Sequence, residues 1–358
     1  MATDYKLADG GKVFKKYTGK GASLVVPDGV ETISMAAFYP APPLRKIFLP
    51  SSLQKITKNA LSRCESLEEI EVDEANSAFR SVDGALFSKD EETLVFVPPL
   101  IKKTRFVVPE TVRRIESLAF ARCKSLTEII LPDGLETIGI DAFFCCRSIR
   151  EFVLPKSVVE IGYAAFEFCD SLTTINFPKG VREIGKGTFS FCNSLTKIIV
   201  PEHIEKIGSG AFSCCHSLEK VVLSEGVKGL DWFTFSHCAS LKSVSLPSTV
   251  KKIEHGMFDG CAILETIDLP SSVNRIEDEA FKDCASLKRI VLPKTLKKIG
   301  GDAFKDCKLF ESIVVPKSVK EIGKDAFSGC PKLTIRAPKE SYAEQYANEN
   351  GIKYEPLE

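Results

Sequence analysis

Hydrophobic positions along this chain recur with a period of 23 residues. From position 109 onward each unit opens with proline, or with Ser224 in one case, and a phenylalanine and then a cysteine follow at constant spacing. The phenylalanine column is Phe120, Phe143, Phe166, Phe189, Phe212, Phe235, Phe258, Phe281, Phe304 and Phe327, and the cysteine column is Cys123, Cys146, Cys169, Cys192, Cys215, Cys238, Cys261, Cys284, Cys307 and Cys330. Less regular copies begin at Pro27 and Pro50. A fixed period of this length predicts a repeat architecture.

Each unit contains two patterns typical of short strands. Leu195, Ile198 and Val200 follow an LxxIxL pattern in which the last two alternate as in a half-buried strand, and proline ends it. A second extended segment, Val181 to Ile184, precedes Gly185, which we expect to turn the chain. The A-F-x-x-C stretch is long enough for one helical turn only. Every coil is therefore predicted to hold two short strands and a tight bend.

One such coil buries too little apolar surface to offset the conformational entropy it loses, so coils must stack on one another. Stacking places equivalent positions of consecutive coils above each other at about 4.8 Å, which converts the sequence period into columns of side chains. The predicted fold is a β-rich α/β solenoid, a right-handed superhelix of horseshoe or rod shape with 23-residue coils.

Both ends depart from the repeat, as capping of an open core requires. Residues 1–26 are predicted to form an N-terminal cap in which Lys12 to Lys16 and Ser23 to Val26 pair as a hairpin. Residues 338–358 are predicted to form a C-terminal helical cap. Its helix begins with a capping box between Ser341 and Glu344 and stops at Gly351.

An irregular stretch also interrupts the coils. Residues 27–72 and 109–337 are assigned to coils, and residues 73–108 to an insert within the solenoid. The dipeptide Asp83-Gly84 predicts a hairpin there, and Leu94 to Val97 and Arg105 to Val108 resemble two further strands. We interpret the five segments as one continuous domain.

The charge balance excludes strong electrostatic attraction to nucleic acid. Forty-eight basic and 48 acidic side chains cancel, so only local patches can attract a charged partner. No apolar run is long enough to insert in a membrane, and Met1 to Lys20 lacks the apolar core of a signal peptide.

The 13 cysteines invite a disulfide or metal hypothesis, which the predicted geometry disfavours. Stacked side chains lie parallel and farther apart than the beta carbons of a disulfide, and no C-x-x-C pair supplies zinc-ligand spacing. We therefore expect core thiols that pack as small apolar groups. A recurring serine column is attributed to turns, and none of the four histidines sits in a nucleophile motif. No catalytic residue, metal or cofactor is expected.

Candidate binding residues lie on the LxxIxL strand, at positions expected to point away from the core. The first outward column is formed by the residue between the last two positions of the LxxIxL pattern in each coil. Six of its ten residues are apolar, as expected for either a binding stripe or ordinary β-propensity. The neighbouring column passes from acidic to basic, which would orient a charged partner or simply form a solvated face. Trp232 occupies a turn slot and is expected either to anchor a contact or to pack locally. The candidates are Ile130, Val153, Asn176, Ile199, Val222, Val291, Val314, Glu128, Glu151, Lys197, Lys220, Arg289 and Trp232.

Together these residues resemble the repeat of the BspA-like, or Treponema pallidum-type, leucine-rich-repeat family over nearly the whole chain. The resemblance implies a leucine-rich-repeat solenoid and a non-catalytic protein-binding role. It also implies a bacterial or protozoan protein that is secreted or at the cell surface, adhesin-like, with a host matrix or cell-surface protein as partner. The absence of a signal peptide keeps open the alternative of a cytoplasmic interaction scaffold with reduced cysteines.

Overall fold

The computed structural model describes residues 4–357 of the chain. It is a β-solenoid of about 15 turns with coils of about 23 residues, which confirms the predicted fold class. Two compact units divide at Gly180 and Val181, and each is a stack of coils.

The first unit contains strands β1 to β17. Their bounds are β1 (Tyr5–Ala8), β2 (Val13–Tyr17), β3 (Ser23–Val25), β4 (Thr32–Ile33), β5 (Lys46–Leu49), β6 (Lys55–Ile56), β7 (Glu69–Val72), β8 (Phe79–Val82), β9 (Ala85–Ser88), β10 (Thr93–Phe96), β11 (Arg105–Val107), β12 (Arg114–Ile115), β13 (Glu128–Ile130), β14 (Thr137–Ile138), β15 (Glu151–Phe152), β16 (Glu160–Ile161) and β17 (Thr174–Ile175). Short 3-10 turns occupy Asp9–Gly11 and Ala60–Arg63.

The second unit contains strands β18 to β32 and one α-helix. Their bounds are β18 (Glu183–Ile184), β19 (Lys197–Val200), β20 (Lys206–Ile207), β21 (Lys220–Leu223), β22 (Gly229–Leu230), β23 (Ser243–Ser245), β24 (Lys252–Ile253), β25 (Thr266–Asp268), β26 (Arg275–Ile276), β27 (Arg289–Val291), β28 (Lys298–Ile299), β29 (Ser312–Val314), β30 (Glu321–Ile322), β31 (Thr334–Pro338), α1 (Tyr342–Glu349) and β32 (Lys353–Leu357).

Within each unit the strands form two sets of parallel ladders. The front strands carry the LxxIxL pattern and form sheets such as β3-β5-β7 and β19-β21-β23. The rear strands carry the second pattern and form sheets such as β18-β20-β22 and β24-β26-β28-β30. Pairing is in register with the sequence period, so that Ile198 lies beside Val221 and Val221 beside Val244. The predicted columns therefore exist in both units.

The phenylalanine column forms the centre of each core. In the first unit the Phe143 ring stacks on Phe120 and Phe166, with centroids 5.1 Å away on both sides. In the second unit the Phe304 ring lies 5.3 Å from Phe281 and 5.3 Å from Phe327. Offset stacking of buried rings adds to the free energy of simple burial, which explains why phenylalanine recurs at this position.

The A-F-x-x-C stretch does not form the predicted helical turn in the regular coils. Residues two before and two after the phenylalanine adopt left-handed backbone conformations, as in Asp141 (φ 55°) and Cys145 (φ 59°). Their amides point to the next coil, and Asp141 N donates to Tyr163 O over 3.0 Å. The amides of the stretch thus alternate between bonds to the next coil and bonds within their own coil, such as Phe144 N to Asp141 O at 3.0 Å, instead of forming a helix.

A glycine recurs before this stretch in many coils, and the sequence predicts that it turns the chain. The structure gives a different reason for it. A Cβ at Gly139 would lie 2.4 Å from the backbone nitrogen of Ser117 in the preceding coil. The glycine is therefore required by close approach of two coils and not by a turn with positive φ.

The N-terminal hairpin is present, but its predicted strand pairing is wrong. Antiparallel β2 pairs with the preceding strand β1, whereas β3 joins the front sheet beside β5. Strand β3 therefore belongs to the first coil. The alternation of apolar and polar side chains could not show whether β2 pairs with β1 or with β3, because both of these strands have that alternation.

The insert and the C-terminal cap match their predicted elements. Strands β8 and β9 form an antiparallel hairpin across Asp83 and Gly84. Helix α1 starts where the Ser341 hydroxyl accepts the amide of Glu344 at 3.3 Å, and Gly351 follows its end with φ 66°. Tyr346 of α1 packs edge-on against Phe327, so the helix closes the last coil. Strand β32 then adds a parallel strand beside β31, which the sequence pattern did not predict.

Candidate binding surface

The outward column of the front strands is exposed at most of its aliphatic positions. Val153, Ile199, Val291 and Val314 are 76%, 55%, 72% and 45% exposed, respectively. Ile130 and Val222 are half-buried in the same column. Exposed aliphatic side chains that lie next to one another form a surface that loses water favourably when a partner covers it.

In the second unit these side chains form two apolar pairs. Ile199 lies beside Val222 in the ladder of β19 and β21. Val291 of β27 and Val314 of β29 occupy equivalent positions on neighbouring strands, one residue beyond the paired Ile290 and Ile313. Polar Ser245 and Asp268 occupy the equivalent positions of β23 and β25, between the two pairs. The second unit thus presents two separate apolar patches on its front strands.

Asn176 occupies the same column but is engaged by its own chain. Its Oδ1 accepts the amide of Leu154 at 2.7 Å, and its Nδ2 donates to the carbonyl of Leu154 at 2.8 Å. The side chain thus extends the short ladder of β15 and β17. Asn176 contributes to the stacking of coils, which is a role that spacing alone does not reveal.

Two further exposed side chains of the column were missed by the sequence reasoning. Val25 of β3 is 67% exposed, and Val107 of β11 is 49% exposed and lies beside Ile130. Both precede a proline by two residues, as do the other aliphatic members of the column except Val222, which precedes Ser224. Their position before a proline could have identified them. They fall, however, in the segments assigned from the sequence to the N-terminal cap and the insert, where the period is irregular.

The neighbouring charged column differs between the two units. In the first unit Glu128 forms an ion pair with Arg105 at 3.0 Å, and Glu151 is exposed beside Thr174. In the second unit Lys197 lies directly beside Lys220, and Arg289 beside Ser312. No ion-pair partner of Lys197, Lys220 or Arg289 is found among residues 4–357. Two like charges side by side repel each other, so an acidic group of a partner would relieve that repulsion.

Trp232 is exposed but does not belong to the front columns. It follows the rear strand β22, its side chain is 55% exposed, and its ring meets His255 edge-on at 6.3 Å. Its carbonyl accepts the amide of Gly210 at 2.9 Å, so the backbone at this position is part of the stacked turns. The structure therefore separates Trp232 from the other candidate residues.

The cysteine column has a structural role beyond apolar packing. At the start of the column, Cys123 Sγ lies 3.7 Å from Val97 O and 3.8 Å from Pro98 O. In most other coils the thiol donates to the carbonyl of the phenylalanine in the preceding coil, as in Cys146 Sγ to Phe120 O at 3.0 Å and Cys261 Sγ to Phe235 O at 3.3 Å. The carbonyls of Phe120 and Phe235 also accept the amides of Cys123 and Cys238 at 3.1 Å and 3.3 Å, so both lone pairs of each oxygen are used. The thiol hydrogen satisfies a buried acceptor that a purely apolar side chain would leave with one partner.

Burial also controls the acidity of these thiols. It raises the pKa of Cys64 and of Cys215 to about 12. All 13 cysteines are free, and most are fully buried. Among the residues that the structure describes, no group of three or more histidine, cysteine or acidic side chains is placed to hold a metal ion.

We expect thiol-specific reagents to label only the cysteines that are partly exposed in the folded chain. These are Cys145, Cys214 and Cys330. Cys330 should react first, because the neighbouring Cys307 thiol lowers the pKa of Cys330, whereas burial raises the pKa of Cys145 and of Cys214. The reactive species is the thiolate, so among these three partly exposed thiols acidity favours Cys330. A time course of labelling followed by peptide mass spectrometry measures the order, and fast labelling of Cys215 in the folded protein would contradict the assignment.

The repeat itself identifies the family. The family model described as the BspA type leucine rich repeat region, with six copies, matches residues 10–94, 99–219 and 205–334. This chain belongs to that family. Leucine-rich-repeat proteins are generally protein-interaction modules, and the BspA-type match extends over both units.

Solved structures support the same fold. A leucine-rich repeat protein from Bacteroides ovatus is 25% identical over 99% of this chain and 98% of its own, with a TM-score of 0.72. A leucine rich cell surface protein from Faecalibacterium prausnitzii is 20% identical over 92% of this chain and 97% of its own, with a TM-score of 0.56. No curated protein matches this BspA-type chain. Within residues 4–357, no helix has the length and apolar character needed to cross a membrane.

Proposed function

We propose that this chain is a non-catalytic, adhesin-like binding protein of the cell surface or of the secreted fraction, and that its front strands hold a protein partner. The observation that carries the proposal is the pair of apolar patches in the second unit, Ile199 with Val222 and Val291 with Val314. Their strands also present the exposed basic side chains of Lys197, Lys220 and Arg289. Interfaces combine an apolar centre with charged groups at the rim, and this surface offers both.

The exposed lysines indicate the charge that the contacting surface of a partner would carry. Lys197 and Lys220 lie on the strands that carry the first apolar patch. A partner with an aliphatic or aromatic side chain flanked by a carboxylate would cover the patch and neutralise the lysines together. A host matrix or cell-surface protein with acidic segments fits this description.

Acidic substitutions on the front strands should weaken binding. We expect Ile199→Glu and Val291→Glu each to reduce affinity for an immobilised matrix protein by about tenfold or more, because a buried carboxylate would oppose burial of the patch. Surface plasmon resonance against fibronectin, laminin, fibrinogen and collagen measures the effect.

Val159→Glu is the matched control for these substitutions. Val159 is 56% exposed and precedes the rear strand β16, so the same change of side chain occurs away from the front strands. Equal losses for Val291→Glu and Val159→Glu would contradict the assignment of the front strands. Absence of saturable binding to all four matrix proteins would contradict the proposed class of partner.

An intracellular interaction scaffold is the second candidate. The observation in its favour is the thiol column, in which cysteines such as Cys146 and Cys238 act as hydrogen-bond donors and must therefore be reduced. Protease treatment of intact cells distinguishes the two, since a surface protein is cleaved and an intracellular one is protected until the cells are lysed.

A further inference from the structure

The insert interrupts both sets of ladders in the first unit. The rear strand β6 pairs with β4 alone, and the next rear strand, β10, belongs to a different sheet together with β9 and β12. On the front side, β7 and β11 also lie in different sheets. The free edge of β6 therefore faces a place where the stacking of coils is broken.

Two adjoining hollows lie at this break, with volumes of about 460 Å³ and 320 Å³. They share Asn59, Ser62 and Leu118 as lining residues, and we call them together the insert cleft. One wall is the turn that follows β6, and the other is the turn that follows β12. All of the lining residues belong to the first unit.

Backbone groups on both walls of the insert cleft lack the partners that regular coils provide. Between regular coils, Leu118 N donates to Ile140 O at 3.0 Å and Phe120 N to Ala142 O at 2.8 Å. On the β6 wall the equivalent amides belong to Asn59 and Leu61, and neither has an acceptor in the described part of the chain.

On the opposite wall, the turn that follows β12, carbonyl groups lack amide donors. Three carbonyls there occupy the positions that accept amides from a preceding coil. The insert supplies one donor, because Val97 N reaches Ala119 O at 2.7 Å. The carbonyls of Ser117 and Ala121 receive no backbone amide from residues 4–357. One wall thus offers free donors and the other free acceptors, which is the arrangement an added extended segment would satisfy.

Side chains around the insert cleft define what such a segment would carry. Met35 and Tyr39 are 66% and 61% exposed at its rim, and Phe79 and Val95 line its inner part. The Arg63 guanidinium also lines the cleft and has no ion-pair partner among the residues described. Arg122 does not compete for a ligand's carboxylate, because it pairs with Glu65 at 3.6 Å and lies over the Phe144 ring.

We propose that the insert cleft binds an extended segment of a partner protein in which apolar side chains alternate with acidic ones. The backbone of the segment would accept from Asn59 and Leu61 and donate to Ser117 and Ala121. Its apolar side chains would cover Met35 and Tyr39, and a carboxylate would pair with Arg63. The proposal is independent of the front strands, since none of these residues belongs to them.

The test uses a blocked synthetic peptide of about ten residues in which valine and glutamate alternate, a length that matches one strand with its flanks. We expect a dissociation constant on the order of 10 to 100 µM. Amide hydrogen exchange should slow at Asn59 and Leu61 when the peptide is present, and should be unchanged at Asp302 of the second unit, whose amide is bonded to Lys324 O.

Two variants of the chain and two altered peptides test whether the peptide binds in the insert cleft through its backbone. Arg63→Glu should weaken binding by about tenfold, and Ser62→Trp should abolish it by filling the cleft. A peptide with N-methylated valines should lose most of the affinity, and a valine and lysine peptide should bind weakly. Absence of protection at roughly 1 mM peptide, or equal binding of the N-methylated peptide, would overturn the proposal. A dimer of the chain that Ser62→Trp dissociates would overturn it as well, because the occupant would then be a second copy.

Discussion

Truncation of Phe281 to alanine is expected to lower the free energy of unfolding of the second unit by about 3–5 kcal/mol. The Phe281 ring is fully buried, and its centroid lies 5.4 Å from that of Phe258 and 5.3 Å from that of Phe304. Alanine would remove contacts with both neighbours and leave a cavity that the rigid ladders on either side cannot close. The measurement is urea-induced unfolding followed by far-UV circular dichroism.

Val291→Ala is the matched control for this prediction. Val291 lies ten residues further along in the same coil and is 72% exposed, so its truncation should change the free energy of unfolding by less than about 0.5 kcal/mol. Repeat proteins do not always unfold in one step, so hydrogen exchange of the strands on each side of Phe281 should accompany the urea experiment. Similar losses for Phe281→Ala and Val291→Ala would contradict the assignment of the stacked rings to the core.

Alanine at Gly300 is expected to destabilise the second unit by about 2–3 kcal/mol. A Cβ at Gly300 would lie 2.4 Å from the amide nitrogen of Asp278 and 2.5 Å from the carbonyl carbon of Glu277. Both atoms belong to the backbone of the preceding coil, which cannot rotate away as a side chain could. The clash would push two coils apart and lengthen the hydrogen bond from Gly300 N to Ile276 O, which is 2.8 Å long.

The adjacent Gly301 provides the control, since a Cβ there would lie no closer than 3.4 Å to Lys324 O. Gly301→Ala should therefore change the free energy of unfolding by less than about 1 kcal/mol, and the loss of conformational freedom in the unfolded chain could make it slightly stabilising. Thermal unfolding of the two variants in parallel measures the difference. A larger loss of stability for Gly301→Ala than for Gly300→Ala would contradict this explanation. It would show that glycine is required for its backbone conformation and not for the close approach of two coils.

The candidate surface was predictable in part. Val153, Ile199, Val291 and Val314 are exposed where alternation along a strand placed them, because side-chain direction in a strand depends on local backbone geometry alone. Asn176 could not be assigned in the same way, since its partner Leu154 lies 22 residues away in the preceding coil. The insert cleft was not predictable either, because it consists of backbone groups whose partners are missing from a neighbouring coil.

The amino-acid sequence by itself determined the repeat, the stacked columns of Phe and Cys, the hairpin at Asp83 and Gly84, and the helix that begins after Ser341. Each of these follows from periodicity or from short-range turn and capping chemistry. The tertiary structure alone decided that β2 pairs with β1, that the turns are left-handed at residues such as Asp141, and that the cysteine thiols are donors. The physical reason is that these features depend on hydrogen bonds between coils, and a pattern of side chains does not specify which backbone groups meet when coils stack.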